Sequence, residues 1–129
     1  MKNIIIVTGG AGFVGSNLIA LLLKRTKFKI ISIDNYSTGK IKNHISNSRI
    51  KYIRGNTKNI KKILKKEINN IIAIFHFGEF SRIYQSFLKM NDCIDSNNIG
   101  SHEVFNFCLL NKIKLVYSAT SASIGNKGN

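Results

Sequence analysis

Two rhythms of apolar and polar positions alternate along the chain. Ile4-Ile5-Ile6-Val7 is an unbroken β-branched run, the pattern of a strand buried on both faces of a parallel sheet. From Phe13 to Lys24 the period lengthens, with Val14, Leu18, Leu21 and Leu22 at helical spacing. Phe28 to Ile33 predicts a second strand and Ile50 to Ile53 a third. Asn56 or Thr57 can cap a following helix whose apolar side is Ile60, Ile63, Leu64 and Ile68. Its other side carries Lys58, Lys61, Lys62, Lys65 and Lys66, read as a solvated face. Ile71 to Phe75 predicts a fourth strand, followed by a long polar loop. A helix from about Asn91 to Asn111 and a fifth strand from Lys114 to Tyr117 complete the pattern.

Strands alternating with helices imply right-handed crossovers and a doubly wound, Rossmann-type α/β sheet of parallel strands. The expected order is 3-2-1-4-5, with the switch point between the first and fourth strands, where ligands bind at the strands' carboxyl ends. No linker or repeat divides the 129 residues, so a single domain over 1–129 is expected.

Composition adds limits. Hydrophobic residues are 43% and charged residues 20% of the chain, enough to build a core and unlike a disordered segment. Twenty Lys and Arg against six Asp and Glu give a formal charge of +14. That balance raises a basic nucleic-acid-binding domain as an alternative, but the charge is scattered and clusters only at Lys58 to Lys66, so no nucleic-acid partner is expected. The apolar start stops at Thr8-Gly9-Gly10, too soon for a signal-peptide core, and Leu18 to Leu23 falls far short of the ~20 apolar residues of a spanning helix. No membrane partner and a cytoplasmic location are therefore expected. Cys93 and Cys108, on one predicted helix, would lie about 22 Å apart at 1.5 Å of rise per residue, beyond disulfide reach. A reducing setting fits, and no metal site is expected.

The strongest chemical signal is Val7-Thr8-Gly9-Gly10-Ala11-Gly12-Phe13-Val14-Gly15, between the first strand and the first helix. A glycine at the turn lets the backbone reverse, and Gly12 lets it approach a pyrophosphate with no Cβ in the way. Gly15 lets the helix pack closely on the sheet. The diphosphate would then meet free N–H groups at the positive end of a helix. Asp34, about twenty residues on, ends the second strand, where a carboxylate accepts from ribose hydroxyls and repels a 2′-phosphate. NAD is the cofactor this pair of features expects.

With these residues in place, the chain resembles the NAD-dependent epimerase/dehydratase family of the extended short-chain dehydrogenase/reductase group, and within it the N-terminal half of UDP-glucose 4-epimerase-like enzymes. Thr8 to Gly15 is similar to its TGxxGxxG loop, and Asp34-Asn35-Tyr36-Ser37-Thr38-Gly39 to its ribose-binding stretch. Arg54-Gly55-Asn56-Thr57 sits where the family has Gly-Asp-hydrophobic, whose Asp accepts from the adenine amino group; Asn56 keeps one acceptor oxygen without the charge. His76-Phe77-Gly78-Glu79 resembles the small-residue stretch after the fourth strand. Gly78 keeps room for the cofactor, and Glu79 departs from the usual small residue. Asn97-Asn98-Ile99-Gly100-Ser101 resembles Asn-Val-x-Gly-Thr and puts Asn97 at the structural asparagine of the central helix. Val116 to Gly125 resembles Ser-Ser-Ser-x-x-Val-Tyr-Gly, so Thr120, or its neighbour Ser121, matches the hydroxyl that holds the reacting sugar hydroxyl.

The resemblance implies a cofactor-contacting set of Gly9, Gly12, Phe13, Val14, Gly15, Asp34, Asn35, Ser37, Thr38, Gly39, Asn56, Thr57, Phe77, Gly78, Glu79 and Asn97. It implies a nucleotide-sugar substrate, hydride removal from a sugar carbon, and a homodimer through the 91–111 helix. The family's base is a tyrosine with a lysine four residues later, on the helix after the fifth strand. The chain ends at Asn129, before that helix, and Tyr36 with Lys40 matches the spacing only in a glycine-containing loop. The expectation is therefore a truncated or split reading frame whose 129 residues turn over no nucleotide sugar by themselves. A stand-alone dinucleotide sensor is the alternative.

Overall fold

In the computed structural model, which describes residues 1–120, five parallel strands form one sheet in the order β3-β2-β1-β4-β5. They are β1 (Ile4–Thr8), β2 (Lys29–Asp34), β3 (Ile50–Arg54), β4 (Ile71–His76) and β5 (Lys114–Tyr117). The helices are α1 (Phe13–Arg25), α2 (Ile60–Ile63), α3 (Ile83–Leu88), α4 (Met90–Ile94) and α5 (Ser101–Leu110). The order is the one the alternation of strands and helices predicts.

Because side chains alternate across a strand, β1 feeds two cores at once. Ile4 and Ile6 point to one face with Ile31, Ile33, Ile71 and Ile74, under Ile60, Leu64, Val104 and Phe107. Ile5 and Val7 point to the other, with Ile30, against Ile19 of α1. This two-sided burial is why the β1 run carries no polar residue before Thr8. Ser32 of β2 is the exception on the α1 face: its buried hydroxyl has no hydrogen-bond partner among the described residues.

Three segments differ from the sequence pattern. Residues 57–70 do not form one helix but a 3-10 turn (Thr57–Asn59), the single turn of α2 and a second 3-10 turn (Ile68–Asn70). Five lysines lie along this stretch with Glu67 as its one acid, so like charges at helical spacing oppose propagation. The apolar side still buries, with Ile60 and Leu64 fully enclosed. The loop after β4 contains α3, whose Ile83, Tyr84, Phe87 and Leu88 are exposed, so no amphipathic stripe announces it. The predicted 91–111 helix is α4 and α5 joined by a π-helical segment, Asp95–Gly100. Such an extra residue in a helical turn redirects side chains and is frequent at functional sites.

Candidate functional site

The turn from β1 into α1 reverses at Gly9, which has a φ of +71°. A Cβ there would sit 2.6 Å from the carbonyl oxygen of Phe77, so glycine is required by conformation and by space. Gly12 caps α1 with no side-chain hydrogen bond, and no acidic residue lies in the first turn, while Lys24 and Arg25 occupy the last. The positive end of the helix dipole is thus left for a ligand. A Cβ on Gly12 would meet only the Gly9 carbonyl, at 3.2 Å, so the absent side chain leaves open space.

Gly15 differs from expectation. A Cβ on it would strike the backbone of Gly9 and Gly10, so it packs the helix onto the turn and not onto the sheet. The helix-to-sheet contact belongs to Gly10, where a Cβ would collide with Ser32 of β2 and with Ile19. Gly10 and Gly15 lie in the same glycine-rich stretch, and spacing alone does not separate their tasks.

Asp34 holds this turn in register. Its Oδ2 accepts from the Ala11 amide at 2.9 Å and its Oδ1 from the Tyr36 amide at 2.8 Å. The Ala11 carbonyl accepts in return from Asn43 Nδ2 and from the Lys40 amide. A carboxylate oxygen has two acceptor directions, so each keeps one for a hydroxyl. Beyond it, Tyr36 donates or accepts with His44 Nε2 at 2.8 Å, His44 stacks on Tyr52 with centroids 3.7 Å apart, and the Arg54 guanidinium lies over the Tyr36 ring. Tyr36, at a φ of 60°, is in a left-handed turn, which removes the Tyr36–Lys40 pair from any helix.

On the other side of β1, a second network is built from side chains. Thr8 Oγ1 accepts from the Gly78 amide at 3.0 Å and the Phe77 amide at 3.2 Å, and lies 2.6 Å from His76 Nδ1. With both acceptor directions used, the Thr8 proton goes to Nδ1. His76 then carries its own proton on Nε2 and donates to Ser101 Oγ at 2.8 Å. Ser101 donates to Glu79 Oε1 at 2.6 Å, and Tyr117 donates to the same oxygen at 2.8 Å. This is the assignment in which every proton finds an acceptor. Burial pushes the His76 pKa below its usual value, against an opposing pull from Glu79, so the ring is neutral. The hydrogen bond to Glu79, with burial and the carboxylate charge, raises that of Tyr117. His76, fully enclosed, is a structural link and not an exposed acid or base.

Asn97, on the π-helical segment, clamps the loop after β4: Oδ1 accepts from the Phe80 amide and Nδ2 donates to the Phe80 carbonyl, at 2.5 and 2.9 Å. Gly100 lets the same segment approach Thr57, whose hydroxyl a Cβ would overlap.

Between these networks runs a cavity of about 870 Å³ across the carboxyl ends of the strands. It is lined by Gly9, Gly12, Phe13, Val14, Gly15, Asp34, Asn35, Ser37, Thr38 and Gly39, and on its other half by Thr57, Phe77, Gly78, Glu79, Asn97 and Thr120. Asn56 is not among the lining residues; its side-chain oxygen instead accepts from the Lys58 amide and caps the 3-10 turn. Ser121 lies outside the described residues. Thr8 and Ser101 fall inside the motif stretches and Tyr117 ends the fifth strand, but nothing in their spacing indicates that they join one network through His76 and Glu79. Among the described residues no cluster of His, Cys, Asp and Glu could hold a metal ion, and no helix is long and apolar enough to cross a membrane. Lys61, Lys62, Lys65 and Lys66 are exposed, and Lys58 pairs with Asp95.

A doubly wound sheet with a glycine turn at the switch point and a carboxylate ending the next strand defines a dinucleotide-binding type of domain. Residues 5–129 match the model of the NAD dependent epimerase/dehydratase family. The chain belongs to that family. Among solved structures it is similar to the epimerase Mth375 of Methanothermobacter thermautotrophicus, with 26% identity and a TM-score of 0.82 over 94% of this chain and 36% of that one. It is also similar to the UDP-glucose 4-epimerase TM0509 of Thermotoga maritima, solved with UDP-glucose, at 24% identity and a TM-score of 0.83 over 98% and 41%. The Bordetella bronchiseptica enzyme WbmG, solved with NAD, gives 23% identity and a TM-score of 0.82 over 100% and 41%. The chain thus spans roughly two fifths of the length of these structures.

Proposed function

We propose that this chain is the NAD-holding portion of a nucleotide-sugar epimerase or dehydratase, of the UDP-sugar 4-epimerase kind. The observation that carries the reading is the open space at Gly12, at an uncapped helix start, inside a cavity that also contains Asp34. The α1 amides bind the diphosphate, and Asp34 accepts from the adenosine ribose hydroxyls while its charge disfavours a 2′-phosphate. Gly78, expected to leave room for the cofactor, instead lets its loop close onto β1: a Cβ there would press on the Thr8 side chain at 3.0 Å. Asn97 holds the neighbouring wall of the cavity through Phe80. When bound, NAD supplies a hydride acceptor for a sugar carbon. Thr120, at the far end of the cavity, orients the sugar hydroxyl, a role Ser121 would share or take over.

A nucleotide-sugar substrate and a homodimer through the α4–α5 segment belong to the same proposal. The fit of family and fold to UDP-glucose and NAD complexes supports the first; exposed Ile94, Phe105 and Leu109 on that segment support the second. The test is calorimetric titration of the chain and of its Gly12→Asp variant with NAD. The wild-type chain is expected to bind, and the variant, folded but with a carboxylate where the phosphates would lie, to lose binding by more than about a hundredfold. Equal binding by both would remove the reading.

A further inference from the structure

We infer that Glu79 biases this cavity toward the oxidised, cationic form of a nicotinamide dinucleotide over the reduced form. The inference rests on the reading of the cavity as a dinucleotide site and adds what the second half of that site selects.

The sheet order fixes the direction of the ligand. Asp34 ends β2, on one side of the β1 turn, and Glu79 follows β4, on the other. A diphosphate at the start of α1 with one ribose at Asp34 sends the second nucleoside over β4 and β5. There Glu79, Tyr117 and Thr120 line the same cavity. The oxidised nicotinamide ring carries one positive charge and the reduced ring none, while the rest of the molecule is the same. The ratio of the two affinities therefore reads the electrostatic field at the ring.

Glu79 is the one acid among the described lining residues on that half. Its carboxylate is half-buried and held through Oε1 by two hydroxyl donors, Ser101 and Tyr117. Behind Ser101 the chain continues to His76 and Thr8, so the position of the charge is tied to the same strand end that carries the glycine turn. No cation neutralises it: among the described residues Glu79 makes no ion pair, and His76 is neutral. Arg82 lines the same half but is solvent-exposed, where water screens its charge. The small residue usual at this position in the family would leave the ring without a fixed counter-charge. A site that favours the cation lowers the driving force for removing a hydride from the sugar and raises that for returning it. This suits a cycle in which the sugar ends at its starting oxidation level.

The experiment compares NAD+, NADH and ADP-ribose binding to the whole chain and to Glu79→Gln, with circular dichroism confirming the fold. Gln keeps an oxygen to accept from Ser101 and Tyr117 and removes only the charge. The preference for NAD+ over NADH should fall about five- to tenfold in the variant, while ADP-ribose, which lacks the ring, binds as before. An unchanged ratio overturns the inference and leaves the dinucleotide reading standing. A wild-type chain that binds none of the three overturns both. Should Glu79→Gln not fold, Glu79→Ala gives the same comparison, because the Ser101 hydroxyl has a second acceptor in the Ser96 carbonyl at 3.5 Å.

Discussion

The two halves of the cavity are held by different means. On the β2 side the main chain does most of the holding: Gly9 turns it, Ala11 exchanges hydrogen bonds with Asp34, Lys40 and Asn43, and the carboxylate accepts two amides. On the β4 side a line of side chains, Thr8, His76, Ser101 and Glu79, does the same work from residues up to ninety-three positions apart, since Thr8 opens the line and Ser101 nearly closes it. A backbone-held site needs particular residues at short, fixed spacing. A side-chain relay needs only that each donor meet an acceptor.

The sharpest way to break the first half is Gly9→Ala. A left-handed φ costs a non-glycine residue about 1–2 kcal/mol, and overlap with the Phe77 carbonyl adds about 1–3 kcal/mol. A loss of about 2–5 kcal/mol in denaturant unfolding is expected, together with loss of NAD binding. A change under about 1 kcal/mol would mean the turn relaxes in ways this geometry does not allow.

For the second half, Thr8→Val keeps the shape and removes the hydroxyl that serves two amides and the imidazole. Leaving buried polar groups unpaired should cost about 2 kcal/mol. The chain also predicts that the loss is shared: in a double-mutant cycle, Thr8→Val and Ser101→Ala should be non-additive, because either one breaks the same line.

The smallest effect expected is a pH dependence. The folded-state pKa of His76 lies below its unfolded value, so the unfolded chain takes up the proton first as pH falls. The stability this neutral ring contributes is present above the ordinary histidine pKa of about 6.5 and is lost as pH drops toward the folded value. Urea midpoints for the wild-type chain should therefore decline from about pH 7.5 to about pH 5.5 more steeply than those of His76→Gln. Parallel declines would place the proton elsewhere.

The same contrast explains what the sequence could tell. The Ile4–Val7 run, the glycine turn and Asp34 were legible because strand period, turn conformation and strand-end chemistry act over a few residues. All five strands follow from the same local rules. Over residues 57–70 apolar spacing predicts which side chains bury, and Ile60 and Leu64 do, but it does not determine whether a lysine-rich backbone stays helical between them. Asn56 carries two expectations, a helix cap from its place before Thr57 and an adenine contact from the family resemblance; the structure shows the cap, and Asn56 does not line the cavity. Glu79 stood out only as a departure. Its partners Ser101 and Tyr117 became visible once the sheet brought β4, β5 and α5 together.

The most direct test is an amide-resolved NMR titration of the chain with NAD. The Gly12, Phe13, Val14, Asn35 and Gly78 resonances should shift together along one saturable curve, while those of Lys51 and Lys65, away from the cavity, stay in place. Saturating NAD with no shift at the start of α1, or shifts confined to the lysine-rich surface, would contradict the dinucleotide reading.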